Sequence, residues 1–203
     1  MGLEELRLLY DANMLTFPPR LPEQPIFYPV TNEPYARQIA ANWNTKSGTR
    51  SGFVTRFEVD SEYAARFQRK VVGGREHEEL WVPADELDGF NRHIKDRVRV
   101  IGANFGEGYV GLVPDGFALG GMDASEQFIA LARALTSGSF DIRGEIAANH
   151  VAVFLNFFFW EVHEFSNDGF PTDERDRVLA EFRQIWSSRP RVVVPLGVAQ
   201  SAR

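Results

Sequence analysis

Residues 146–160 read "IAANHVAVFLNFFFW", the most apolar run in the chain. Such a run must be covered by lipid, by the rest of the fold or by a partner. It is shorter than a bilayer span and carries Asn149, His150 and Asn156, so a buried helix over 143–164 is expected rather than a membrane segment. Eleven Ile, Val, Leu, Phe or Trp side chains lie between Ile146 and Phe165. That much apolar surface on one helix predicts a homodimer through it. Asn149, Asn156 and His163 recur at i, i+7, i+14 and form a polar stripe along it. The stripe is either hydrogen-bonded inside the fold or facing water, or it lies in a subunit or partner interface, where polar groups fix register.

The rest of the chain has the means to cover a core. Of 203 residues 44 % are apolar and 13 % aromatic, which excludes a disordered chain. The net charge is −6 and no segment is a basic run, so no electrostatic footprint for nucleic acid shows at the level of the whole chain. There is no cysteine, which removes disulfides, thiolate metal sites and cysteine nucleophiles. "MGLEELRLLY" is acidic and amphipathic, unlike a signal peptide, and a cytoplasmic protein is expected.

Patterning changes along the chain. Residues 3–15 read as a helix, and "FPPRLPEQP", with four prolines in nine residues, as a rigid extended segment. A strand at 26–30 precedes a helix that Asn32 caps, with Pro34 in its first turn and Tyr35, Ile39 and Trp43 on its apolar face. "FVTRFEVD" (53–60) alternates as a strand, and Asp60 can cap a short turn bearing Tyr63 and Phe67. Strands at 77–82 and 97–105 flank a short helix carrying Leu87, Phe90 and Ile94. Residues 106–122 hold six glycines and one proline and read as a loop. Beyond it the pattern is helical: 124–137 behind an Asp123/Glu126 capping box, then 143–164, then a helix from Thr172 or Asp173 to about Trp186. A short last strand fits 191–196. The expected fold class is α+β, with a pair of small, partly antiparallel sheets over 1–112 and a helical extension over 113–203.

"GEGYVG" (106–111) has the spacing of a dinucleotide fingerprint, but "LVPDGFALGG" cannot be the helix that must follow. His150, Glu161, His163 and Glu164 lack any strong ligand spacing, and no metal is expected. No G-x-S-x-G elbow supports a serine hydrolase.

"GGREHEELWVP" (73–83) is the stretch that asks for chemistry. Glu76, Glu78 and Glu79 lead into an apolar strand, where carboxylates are costly without a partner. On a strand His77, Glu79 and Trp81 share one face, while Glu78 accompanies Leu80 and Val82. Charged residues that protect a sheet edge are one reading of this pattern, and a functional acid beside an indole is the other.

"RLPEQPIFYPVTNEPYARQIA", a short strand, polar turn and helix, together with "EELWVPADEL", a glutamate ahead of an apolar strand triplet, resembles the ADP-ribosyltransferase superfamily, which includes poly(ADP-ribose) polymerases and bacterial toxin-type members. Residues 3–105 are also similar to a group of small bacterial proteins labelled ADP-ribosylation/crystallin, through "FPPRLPEQPIFYPV", "GFVTRF", "VGGREHEELWVP" and "FNRHI". The resemblance implies a transferase-like fold that uses NAD as substrate and a macromolecular acceptor. By position, Glu79 matches the catalytic glutamate, Phe27 or Tyr28 the aromatic against nicotinamide, and Thr31 the small hydroxyl residue that often follows. His77 stands where arginine-modifying members carry Glu or Gln, which speaks against that subclass. The family's first strand, with its cofactor-contacting His or Arg, is expected ahead of the helix in which this sequence begins, so either the start lies further upstream or that cofactor contact is lacking. In the implied reaction the nicotinamide–ribose bond breaks through an oxocarbenium-like transition state, which ionised Glu79 stabilises. Tyr28 and Trp81 grip nicotinamide, His77 lies beside it, and Arg20 or Arg75 meets the pyrophosphate. Two rivals remain: a degenerate, non-catalytic module that binds a partner through its helical half, and a phosphotransferase-like or glycohydrolase activity on the same scaffold, with water or RNA as acceptor.

Overall fold

The chain divides inside the glycine-rich stretch. The computed structural model, which describes residues 1–190, 192 and 194–198, separates into one unit over Met1–Glu107 and a second from Gly108 onward. Two small antiparallel sheets lie in the first, and helices dominate the second. Among the described residues, no helix is long and apolar enough to cross a membrane.

The first unit opens on α1 (Leu3–Asp11), which buries Leu3, Leu6 and Leu9 along one face. It stops short of residue 15 because Asn13 and Met14 take positive φ, 54° and 59°, a left-handed turn that no glycine announces. The proline segment is then pinned from the side: buried Asn91 accepts from the Phe17 N–H at 2.9 Å and donates to its carbonyl at 3.0 Å. Strand β1 is only Ile26–Phe27, bounded by Pro25 and Pro29. Next comes α2 (Glu33–Asn42), with the Asn32 side chain accepting from Tyr35 N–H at 2.9 Å and Pro34 in the first turn, as expected.

Strand β2 (Ser51–Arg56) is followed by α3 (Ser61–Ala64), whose Asp60 cap accepts from Glu62 and Tyr63 N–H. Those bonds hold the Asp60 carboxyl below its ordinary range, with the Tyr63 bond the larger cause. Strand β3 (Gln68–Val71), which no alternation marks in the sequence, precedes β4 (Glu78–Pro83). Helix α4 (Leu87–Arg92) and strand β5 (Arg99–Phe105) complete the unit. One sheet has the order β1-β4-β3 and the other pairs β2 with β5, all antiparallel. Met1 lies along the outer edge of β2, its amino group donating to Phe53 O at 3.0 Å and its carbonyl accepting from Phe53 N–H at 2.9 Å. Helix α2 packs so closely on β2 that a Cβ at Gly52 would stand 2.2 Å from the Ala40 carbonyl oxygen. Phe17, Phe27, Phe57 and Phe90 form the aromatic heart of the core, with ring centroids 4.6 to 6.2 Å apart.

In the second unit, α5 (Ala124–Ser137) begins with both bonds of the Asp123/Glu126 capping box. The expected single helix over 143–164 is two: α6 (Ile142–Ala148) and α7 (His150–Trp160). The break falls at Asn149, whose side chain turns back to Glu145 at 2.7 Å and whose backbone leaves the helical region at ψ 30°. Helix α8 (Thr172–Ser187) follows. Residues 152–160 of α7 are all buried, against Phe128 of α5 and Phe182 and Trp186 of α8. A helix apolar on every side is buried by its own unit here, so the surface that argued for a homodimer is already covered. Of the polar stripe, Asn156 is fully buried and hydrogen-bonded inside its own unit and Asn149 bonds Glu145 at the break, as the first reading has it, while His163 lies past the end of α7. Of the expected strand at 191–196, residues 191 and 193 lie outside the described residues, and 192 and 194–196 are not in a strand.

Candidate functional site

Strand β4 runs between two neighbours. On one side Lys70 of β3 is the register partner of Glu79, and on the other Val30 forms an isolated antiparallel bridge to the same residue. Leu80 N–H donates to Pro29 O at 2.9 Å and Thr31 N–H to Glu78 O at 3.1 Å, which carries the pairing of β1 past its prolines. Side chains opposite one another in antiparallel pairs share a face. Lys70, Glu79 and Val30 therefore share one, and Tyr28 faces Trp81 across the β1–β4 register of Phe27↔Val82. Leu80 and Val82 point the other way and are buried, confirming the alternation expected for β4.

Glu79 is held by two donors. Its Oε1 accepts from the Tyr35 hydroxyl at 3.1 Å, and its Oε2 from the Trp81 indole N–H at 3.3 Å. Burial, then the bond and charge of Glu79, raise the Tyr35 phenol above its ordinary pKa, so it stays a donor. The Tyr35 ring stacks on His77 at 4.3 Å and 16°. His77 is fixed in turn, with Nδ1 accepting from Gly74 N–H at 3.3 Å and Nε2 bonded to Gln38 Oε1 at 3.0 Å. Tyr28 stands edge-on to Trp81 at 5.1 Å and is 43 % exposed. The Lys70 ammonium lies 3.4 Å from the centre of the Trp81 ring.

Tyr28, His77, Glu79 and Trp81 are thus brought together, while three other sequence candidates lie elsewhere. Phe27 belongs to the core, packed on Phe17 and Phe90. Arg20 is tied to Glu5 at 3.0 Å and Gln24 at 3.3 Å, beside a cavity of about 240 Å³ that Phe27 and Tyr28 also line. Thr31 lines a larger cleft of about 520 Å³ together with Arg69, Leu80, Phe90 and Val54. This cleft is on the Leu80 face of β4. Two of its lining residues hold Glu78, whose Oε1 accepts from the Thr31 hydroxyl at 2.8 Å and from Arg69 at 3.1 Å. Glu79 and Trp81 line neither cavity.

Sequence reasoning missed Tyr35, Lys70 and Gln38 as members of the site. The spacing of Tyr35, Ile39 and Trp43 marks Tyr35 as part of an apolar helix face, although a phenol in the first turn behind an Asn cap is also a donor. Lys70 lies on a strand with no hydrophobic alternation to reveal it. Comparison with protein-family models, curated proteins and solved structures finds no match for this chain.

Proposed function

We propose that the first unit is an ADP-ribosyltransferase-like module that uses NAD, in a cytoplasmic protein. The observation that carries this reading is the convergence of Tyr28, Tyr35, Glu79 and Trp81 on one face of β4, with a carboxylate oriented by two donors beside an indole that already holds a cation. The nicotinamide ring of NAD is itself cationic, and an aromatic wall with a fixed carboxylate is complementary to it. As the nicotinamide–ribose bond breaks, its electron pair leaves with nicotinamide and positive charge builds on the ribose. Glu79, positioned in advance by Tyr35 and Trp81, stabilises that charge without having to reorganise. A hydroxyl, amine or carboxylate of a macromolecular acceptor, or water, then bonds to the ribose carbon and gives up any proton it carries to solvent. His77 acts at one remove, by stacking on the ring of Tyr35. This assignment rests on Tyr28, Glu79 and Trp81 and leaves Phe27 to the core.

A second reading uses the same reaction with Glu78, because the larger cleft opens on the Glu78 face. Nicotinamide release from NAD, measured for Glu79→Gln and Glu78→Gln, separates the two. Absence of NAD binding in calorimetry would leave a non-catalytic binding module.

A further inference from the structure

Lys70 occupies the place that a cationic ligand would take. Its ammonium is well inside the roughly 6 Å range of a cation–π contact with Trp81. The indole is used on two sides: its face holds the ammonium, and its N–H edge is committed to Glu79 at 3.3 Å. Tyr28 forms a second aromatic wall and is open to solvent. Lys70 and Glu79 are register partners, yet among the described ion pairs none joins them, so the ammonium is held by the ring face. The lysine also sits on β3, an outer strand of its sheet, and carries its charge at the end of a flexible four-carbon stem.

We propose that the Tyr28–Trp81–Glu79 face is a recognition site for a weakly hydrated organic cation, a pyridinium or a quaternary ammonium, and that Lys70 is its tethered competitor. An ammonium is strongly hydrated, and bringing it against an indole costs part of that hydration. A pyridinium or quaternary cation loses less water and offers more surface to the same two rings. The tether compensates for the weaker intrinsic contact by raising the local concentration of the ammonium. A ligand must therefore displace Lys70, and its apparent affinity falls by the fraction of time the lysine is bound. Pyridinium binding is what the proposed NAD reading would use, but cation recognition here stands on the geometry of the ring, the carboxylate and the ammonium alone.

The test uses N-methylnicotinamidium chloride as the cation and nicotinamide as its neutral counterpart, with the indole N–H resonances of the full chain as readout. The wild type is expected to bind the cation with a shift at the Trp81 indole and to bind nicotinamide at least several-fold more weakly. Lys70→Met keeps the length of the stem and removes the charge, and is expected to tighten the cation about tenfold; nicotinamide, which must displace the same ammonium, is expected to tighten as well but to stay several-fold weaker than the cation. Lys70→Gln gives a second neutral variant should Lys70→Met fold poorly, and dispersion of the four indole signals reports folding in each. Equal affinity for both compounds would overturn the proposal, as would unchanged or weaker cation binding in both folded variants, or shifts confined to other indoles. Cation binding without NAD turnover supports this proposal while removing the enzyme reading. Turnover without cation preference does the reverse.

Discussion

The Tyr35 hydroxyl donates to Glu79 Oε1 at 3.1 Å, and this one bond ties the first turn of α2 to the start of β4. Tyr35 is buried, so removing the hydroxyl strands a carboxylate oxygen in a half-buried site. Hydrogen bonds to charged groups contribute about 1.5–3 kcal/mol, and partial exposure of Glu79 places this one at the lower end. Tyr35→Phe is expected to destabilise the first unit by about 1–2 kcal/mol in urea unfolding. No loss of stability would mean that the bond does not hold α2 in place.

The same phenol gives a pH dependence. Burial first, and Glu79 second, raise the Tyr35 pKa, and burial alone raises that of Tyr109. A group whose folded pKa lies above its unfolded value of about 10 contributes stability fully below that pH and loses it as pH rises through the folded value. Stability is therefore expected to fall on the alkaline side above pH ~10. Tyr35→Phe and Tyr109→Phe, compared with the wild type at pH 8 and pH 11, are each expected to flatten that fall. An unchanged slope in both variants would contradict the assignment.

Asn156 carries the corresponding weight in the second unit. It is fully buried, donates to Leu112 O and Gln127 Oε1 at 2.9 Å each, and accepts from Leu112 N–H at 2.9 Å. The loop comes this close only because Gly111, at φ +80°, has no Cβ, which would stand 2.4 Å from Asn156 Oδ1. Asn156→Leu leaves the Leu112 amide and carbonyl and the Gln127 amide oxygen without this partner. It is expected to cost about 3 kcal/mol or more in chemical denaturation. A cost below about 1 kcal/mol would show that these groups find other partners.

Local chemistry made much of this fold legible. Asn32, Asp60 and the Asp123/Glu126 box each announce a helix start by a side chain that reaches a nearby N–H, and each does so here. Period-2 alternation placed Glu79 with Trp81 and Glu78 with Leu80. What stayed hidden depended mostly on long-range pairing. Strand β3 is a polar edge strand that exists because β4 pairs with it. The break at Asn149, where the backbone leaves the helical region, has no mark in an apolar pattern that runs straight through it. The choice between Phe27 and Tyr28 needed the register with β4, which sends Phe27 to the core and Tyr28 to Trp81. Lys70 could join the site only once β3 was known.

Glu79 is the centre of the proposed reaction, and nicotinamide release from NAD by the wild type, Glu79→Gln and Glu78→Gln is its most direct test. Glu79→Gln keeps the shape and both donors in reach while removing the charge that stabilises the developing oxocarbenium. The wild type is expected to release nicotinamide, Glu79→Gln to lose about 10²-fold or more in rate, and Glu78→Gln to stay within a few-fold of the wild type. Loss of activity in Glu78→Gln with Glu79→Gln intact would move the chemistry to the cleft on the other face. No release from any of the three, with no NAD binding by calorimetry, would contradict the transferase reading itself.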